Sequence, residues 1–143
     1  MGFRLKIEGA ELIELGLESI LTAEFKTDTP DDSNARSTDL GVTAHLTGKI
    51  LAAVDGENAD DTMKVARWSL VPAENSDCYR KATVEVISAS QVVRRIHFPN
   101  AFCVDYVEKF GDTEGVGTFS LLLKQKKDKT PNLKFEGGFG DAV

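Results

Sequence analysis

The feature that constrains this chain most is the alternation of apolar and polar residues with a period of two. Near the start, Phe3, Leu5 and Ile7 alternate with charged side chains. A period of two places the apolar side chains on one face of a β-strand. The same alternation recurs at Val42, Ala44 and Leu46, at Ala82, Val84 and Val86, at 92–98, at Phe102, Val104 and Tyr106, and at Phe119, Leu121 and Leu123. With a final strand at 133–136, the pattern predicts a mainly β chain of seven or eight strands, arranged as a small barrel or sandwich.

Residues 11–25 fit two patterns. A helix would bring Ile13, Leu17 and Leu21 to one face, whereas a strand would bring Ile13, Leu15 and Leu17 to one face. The glycine in the middle of the segment favours strands. We therefore expect strands here, with a helix as the alternative.

One short helix is predicted over residues 60–71. Either Asn58 or Asp60 is placed to cap its N-terminus, and Pro72 ends the pattern. The apolar residues at helical spacing are Met63, Ala66 and Leu70, with Val65 and Trp68 beside them.

A long polar segment, Lys26–Asp39, separates two predicted strands. Segments of this length without apolar side chains are uncommon inside a compact domain, and they are usually functional or disordered. We interpret it as an extended loop of a single domain that covers residues 1–143. Strands with exposed edges beside such a loop favour assembly of the chain with copies of itself.

The sequence offers no catalytic set. His45 and His97 both fall inside predicted strands, without a cysteine, histidine or carboxylate pair at ligand spacing. We predict structural or surface roles for both, and we predict that the chain is not an enzyme. A hydrolase is the least favoured hypothesis, because no base, nucleophile and metal ligands can be assembled.

Two segments resemble binding loops only superficially. Asp55–Asp61 is acidic but lacks the ligand spacing of a calcium-binding loop, so a solvated turn before the helix is predicted. Gly111–Gly117 contains glycines but leads into a strand, whereas a phosphate-binding loop leads into a helix. A hairpin connection is predicted there, and we expect no cofactor and no metal.

Charge and cysteine usage exclude several partners. The net charge is −6, which disfavours nucleic acid and anionic membranes. The basic run Lys124–Lys129 has no interleaved aromatic residues, so a solubilising strand end is predicted. The first residues lack the apolar core of a secretion signal, so we expect cytoplasmic synthesis and no membrane insertion. Cys78 and Cys103 are expected to be reduced thiols, with a disulfide as the alternative.

One stretch of the chain resembles a known family. The residues Phe98–Tyr106, followed by Phe110–Thr113 and a strand, are similar to the Hcp (TssD-type) ring proteins and phage tail-tube proteins of contractile injection systems. The order of an early strand pair, an extension, one short helix and a late β meander is also similar. The segments Asp55–Asp61 and Lys124–Lys129 follow no pattern of that family.

The resemblance implies a β-barrel with one flanking helix, hexameric rings, and stacking of rings into a hollow tube. It implies contacts with sheath, baseplate or effector proteins in an assembled or exported particle, and it places Thr27–Asp39 on the adjacent subunit. Arg36 is the sharpest interface candidate, because a guanidinium can hold a neighbour's carboxylate with two hydrogen bonds. The candidate interface residues are Asn34, Arg36, Ser37, Thr38 and Asp39.

An alternative function is a β-sandwich module that binds a carbohydrate or a protein partner. Such a module would present aromatic side chains on one exposed face. The candidates are Trp68, Tyr79 and Tyr106, which are few and scattered.

Overall fold

The structure is a computed structural model that describes residues 1–29, 40–50, 61–112 and 116–141. It contains eight strands, one α-helix and two short 3-10 helices, which cover Ser76–Cys78 and Lys127–Asn132. The other elements are β1 (Gly2–Glu8), β2 (Leu12–Leu15), β3 (Ile20–Asp28), β4 (Gly41–Ile50), α1 (Thr62–Ser69), β5 (Arg80–Ser88), β6 (Gln91–Lys109), β7 (Gly117–Gln125) and β8 (Lys134–Asp141). The predicted mainly β fold class is confirmed, and residues 11–25 form strands.

All eight strands belong to one antiparallel sheet, in the order β2-β1-β5-β6-β7-β4-β3, with β8 paired to β6. The two strands at the ends of this order, β2 and β3, are consecutive in the chain. The turn between them is closed by hydrogen bonds from the Ser19 and Ile20 amides to the Gly16 carbonyl, at 3.1 and 3.2 Å. The sheet therefore curls, and β3 contacts β1.

A single apolar core fills the curled sheet. It takes alternate residues of the strands, as the period of two predicts, with Leu5 and Ile7 from β1 and Leu121 and Leu123 from β7. Helix α1 adds Val65 and Trp68 to the same cluster. Because each strand contributes one face, the opposite faces remain available for solvent or for other molecules.

Strand β6 is longer than the sequence predicts. We expected two strands separated by Pro99 and Asn100, but β6 runs through both residues. The register with β5 shifts there, since Ala82 pairs with Phe98 and Arg80 pairs with Ala101. Proline is tolerated at such a bulge because no ladder hydrogen bond is required of it.

Close backbone approach explains the glycine in β4. A Cβ atom at Gly48 would lie 2.1 Å from the Ser19 carbonyl oxygen and 2.7 Å from the Phe119 ring. The register between β3 and β4 also shifts opposite this residue. A residue with a side chain would therefore not fit at this position of β4.

Helix α1 occupies the predicted segment but differs at its N-terminus. Its N-cap residue is Asp61, whereas we expected Asn58 or Asp60, which lie outside the described residues. The Asp61 side chain makes no capping hydrogen bond, because Oδ2 accepts the Glu14 amide of β2 at 2.9 Å. Met63 and Leu70 are exposed, and the buried face carries Thr62, Val65 and Trp68.

Two further boundaries correct the sequence analysis. The predicted loop Lys26–Asp39 begins too early, because β3 continues to Asp28 and pairs with β4 up to Gly41. The final strand was expected at 133–136, but β8 runs from Lys134 to Asp141. In both cases backbone pairing with a neighbouring strand holds residues whose side chains give no strand signal.

Candidate subunit interface

The predicted interface loop emerges from the hairpin of β3 and β4. The last pair of that hairpin is Asp28 with Gly41, so the predicted loop connects these two residues. The candidate residues lie in the segment 30–39, outside the described residues, and their interface role stays a prediction. They are Asn34, Arg36, Ser37, Thr38 and Asp39.

One free strand edge lies beside this loop. Among the described residues β3 pairs only with β4, so its second edge has no strand partner. Leu21 on this strand is an exposed apolar side chain. An unpaired edge presents N–H and C=O groups that can pair with another chain.

A second free edge belongs to the C-terminal half of β6, which we define as Phe102–Lys109. The N-terminal half, Gln91–Phe98, is paired with β5 on one side and with β8 on the other. Within the described ranges the C-terminal half pairs only with β7. It bulges at Val104, which is exposed together with Val107.

These two edges border one four-stranded face, in the order β3-β4-β7 and the C-terminal half of β6. Thr47 lies at the centre of its outer side and pairs with Ser120, which in turn pairs with Val107. Neutral polar contacts cross the strands: Thr22 shares a hydrogen bond with Thr47, and His45 Nε2 shares one of 2.7 Å with Ser120 Oγ. The outer side of this face is therefore rich in hydroxyl groups.

The outer side of the other half of the sheet is cross-linked by charges. Arg95 Nε donates to Glu85 Oε2 at 2.9 Å, and Arg95 Nη1 donates to Glu136 Oε2 at 3.1 Å. His97 Nε2 lies 2.9 Å from Glu136 Oε1. The hydrogen bond with His97, and then that with Arg95, lowers the pKa of Glu136. This network connects β5, β6 and β8 side by side.

The two histidines thus bond to neighbouring strands of the sheet. His45 contacts Ser120, and His97 also contacts Thr83, with Nδ1 at 3.2 Å from Oγ1. Among the described residues no group of three or more histidine, cysteine or acidic side chains could hold a metal ion.

A buried arginine joins the helix to the sheet. Arg80 is 4% exposed, its Nη2 donates to Asp77 Oδ2 at 2.5 Å, and its guanidinium lies 5.6 Å from the Trp68 ring centre. The hydrogen bond from Arg80 lowers the pKa of Asp77, and the bond from the Ala10 amide adds to this effect. Trp68 Nε1 donates to the Cys78 carbonyl at 3.0 Å. Trp68 is therefore part of the core and not of an exposed aromatic face.

Both cysteines are free, as predicted. Cys78 is buried, and burial raises the pKa of the Cys103 thiol to about 11, with a further contribution from Asp105. No helix in the described part of the chain is long and apolar enough to cross a membrane.

This curled antiparallel sheet with one flanking helix is similar in fold to solved Hcp and contractile-injection-system structures. Similar solved structures include Hcp1 from Flavobacterium johnsoniae, at 16% identity and a TM-score of 0.50, covering 96% of this chain and 98% of that chain. A chain of the PVC sheath-tube complex, an extracellular contractile injection system in the extended state, has a TM-score of 0.52 at 12% identity, covering 96% and 89%.

A third similar chain comes from the 6-fold symmetrised baseplate of the anti-feeding prophage, with a TM-score of 0.54 at 11% identity, covering 95% and 93%. At these identities the likeness establishes the fold that the sequence resemblance implied. No family model and no curated protein sequence matches the chain.

Proposed function

We propose that this chain is a structural subunit that assembles into rings, and that the rings stack into the hollow tube of a contractile injection or phage-tail-like machine. The observation that carries the proposal is the pair of free edges on opposite sides of one four-stranded face. A copy that pairs its β3 with the C-terminal half of β6 in the next copy uses two different surfaces. Repeated contacts of this kind close into a ring when the rotation between copies allows it.

The shared fold supports this role, because the similar chains come from tube, baseplate and secretion-system proteins. We propose six copies per ring, as the sequence resemblance implies and as the 6-fold symmetry of the anti-feeding prophage baseplate favours. Sheath, baseplate and effector proteins are the further partners that such a particle would supply.

In such a ring the hydroxyl-rich side of the four-stranded face would line the channel. Its central side chains, Thr47 and Ser120, are uncharged, and His45 is bonded to Ser120. The same side also carries charged residues by register, because Glu24 pairs with His45, Lys124 pairs with Thr43 and Lys49 follows Thr47 by two residues. Hydroxyl and charged groups together would keep the channel wall hydrated.

The loop after β3 would clasp the next copy in the ring. It follows Asp28 at the end of β3, the strand that carries one of the free edges, and it precedes Gly41 at the start of β4. We propose that Arg36 binds a carboxylate of the neighbour there, with Asn34, Ser37, Thr38 and Asp39 in the same contact. Arg36→Ala should weaken rings at least tenfold in native mass spectrometry, whereas Lys81→Ala, at an exposed residue of β5 away from both free edges, should leave them intact.

Light scattering after size exclusion and negative-stain imaging test the assembly directly. Purified chain is expected to form rings, and compact monomers at every salt and protein concentration would contradict the proposal. Val104→Lys, at the bulge of the β6 edge, should abolish rings because a charge at an edge opposes strand pairing. The matched control is Leu70→Lys, at an exposed apolar residue just after the helix.

A further inference from the structure

An apolar cavity of about 230 Å³ opens between β3 and β8, near the start of β6. We call it the hole. Phe25 and Phe135 contact edge to face across it, with ring centres 4.8 Å apart. An apolar cavity of about 150 Å³ accommodates a benzene ring, so the hole can hold one aromatic side chain. Its walls include Phe25, Leu46, Val84, Val93, Ile96 and Phe135.

An exposed aromatic ring projects from the other end of β6. Phe110 directly follows the last residue of β6 and is 70% exposed. Its ring lies over Gly117, where a Cβ atom would come within 2.5 Å of it. The missing side chain at Gly117 thus lets the ring rest against β7 while its outer side faces solvent.

The hole and Phe110 lie at opposite ends of one strand. Val93 and Arg94 in the wall of the hole are near the first residue of β6, and the strand has 19 residues. The Phe110 ring rests at Gly117, which pairs with Ile50, and Ile50 is four residues along β4 from Leu46 in the wall of the hole. At about 3.3 Å per residue this places the ring roughly 13 Å from the hole of its own chain, so it does not fill that hole. Two copies arranged end to end along β6 can make this contact.

The charges around the two features are complementary. Glu24 and Arg94 border the hole, and Lys109 and Asp112 flank Phe110. None of these four side chains forms an ion pair with another residue of the described ranges. Arg94 can face Asp112 and Glu24 can face Lys109 when Phe110 enters the hole of another copy.

We infer that Phe110 of one copy inserts into the hole of a copy in the next ring and so holds stacked rings together. The inference rests on the ring assembly proposed above. The contact joins two different surfaces along the strand direction, and such a contact continues as an open stack. A small apolar ligand would also fit the hole, but it would leave both signs of charge at the mouth without partners.

Cysteine cross-linking between two single variants tests this contact. Val93→Cys and Phe110→Cys protein, mixed and oxidised, should give a dimer on a non-reducing gel that neither variant gives alone. The matched control mixes Val93→Cys with Leu70→Cys. The native thiols give little background, because Cys78 is buried and burial raises the pKa of Cys103 to about 11.

Charge reversal gives a second, independent readout. Asp112→Lys should reduce the number of tubes in negative stain at least tenfold, and Arg94→Glu in the same chain should restore them. Single rings should persist, because Asp112 and Arg94 lie outside the two edges that are proposed to pair within a ring. Tubes without the mixed cross-link would overturn the stacking contact and leave ring assembly standing. Tubes that survive Phe110→Ser would likewise show that Phe110 does not hold stacked rings together. A chain that forms no rings would refute both proposals.

Discussion

The two halves of β6 differ in how many of their edges are paired with other strands of the same chain. The N-terminal half has a strand on each side, and ion pairs of Arg95 with Glu85 and Glu136 cover its outer side. The C-terminal half has one paired edge, exposed valines at positions 104 and 107, and hydroxyl-bearing neighbours. A single continuous strand thus has both edges paired within the chain along its first half, whereas one edge of its second half is free to pair with another chain. The difference separates residues that maintain the fold from residues available for assembly.

The largest expected effect comes from the core that both halves share. Leu121 is fully buried and pairs with Leu46 on one side and Tyr106 on the other. Leu121→Ala should lower the free energy of unfolding by about 2–5 kcal/mol, because it removes buried methyl groups and leaves a cavity. Denaturant unfolding measures this. Leu122→Ala, on the opposite face of the same strand, should cost much less, and equal losses would show that the two faces are not distinct.

A substitution at the junction between the halves should have the next largest effect on stability. Gln125 is 0% exposed, and its Oε1 accepts the Asn100 amide at 3.3 Å. Gln125→Leu should cost about 1–3 kcal/mol, because it leaves a buried N–H group without an acceptor. Gln91→Leu, at an exposed residue at the start of β6, is the control in thermal unfolding. An unchanged stability for Gln125→Leu would mean that water replaces the lost acceptor.

The turn that leads into the N-terminal half offers a stabilising change. Ala89 and Ser90 both have positive φ angles, of 52° and 62°, in the two-residue connection between β5 and β6. Asn-Gly is the pair preferred in this conformation. Ala89→Asn with Ser90→Gly should stabilise the chain by about 0.5–1 kcal/mol in denaturant unfolding. Ala89→Val should destabilise the chain, since a β-branched residue disfavours positive φ.

The smallest effect is a pH dependence confined to the N-terminal half. The pKa of Glu136 is lower in the folded chain than its ordinary value, because of hydrogen bonds with His97 and Arg95. The stabilisation is therefore present above the unfolded pKa and is lost as the pH falls through the folded pKa. Glu136→Gln should reduce the acid slope of stability in that window. Glu108→Gln, in the C-terminal half, is the comparison, and an identical slope change would contradict the assignment.

The sequence predicts the part of this fold that depends on alternation. Leu5, Leu46 and Leu121 reach the core as their period of two requires. It does not predict that β6 continues through Pro99, because the bulge that accommodates the proline depends on the register of β5. Nor does it predict the ion pair of the buried Arg80 with the half-buried Asp77, since Arg80 is buried where its guanidinium packs against Trp68.

The candidate interface was predictable only in its location. A long polar segment between two strands indicates a projecting loop, and the structure places its base at Asp28 and Gly41. The free edge of β6 leaves no signal in the sequence, because apolar and polar residues alternate in the same way in a paired strand and in an unpaired one. Exposed apolar residues such as Phe110 are likewise indistinguishable in sequence from core residues until the strand ends are known.

The turn at Gly16–Ser19 is the covalent closure of the curled sheet. It joins the two outermost strands, and within the described residues no ladder of hydrogen bonds joins β2 or β1 to β3. The curl is therefore closed by this one turn and by apolar contacts in the core, which include the contact between β1 and β3. Proteolytic nicking at the turn should lower the stability of the chain while every strand ladder keeps its hydrogen bonds.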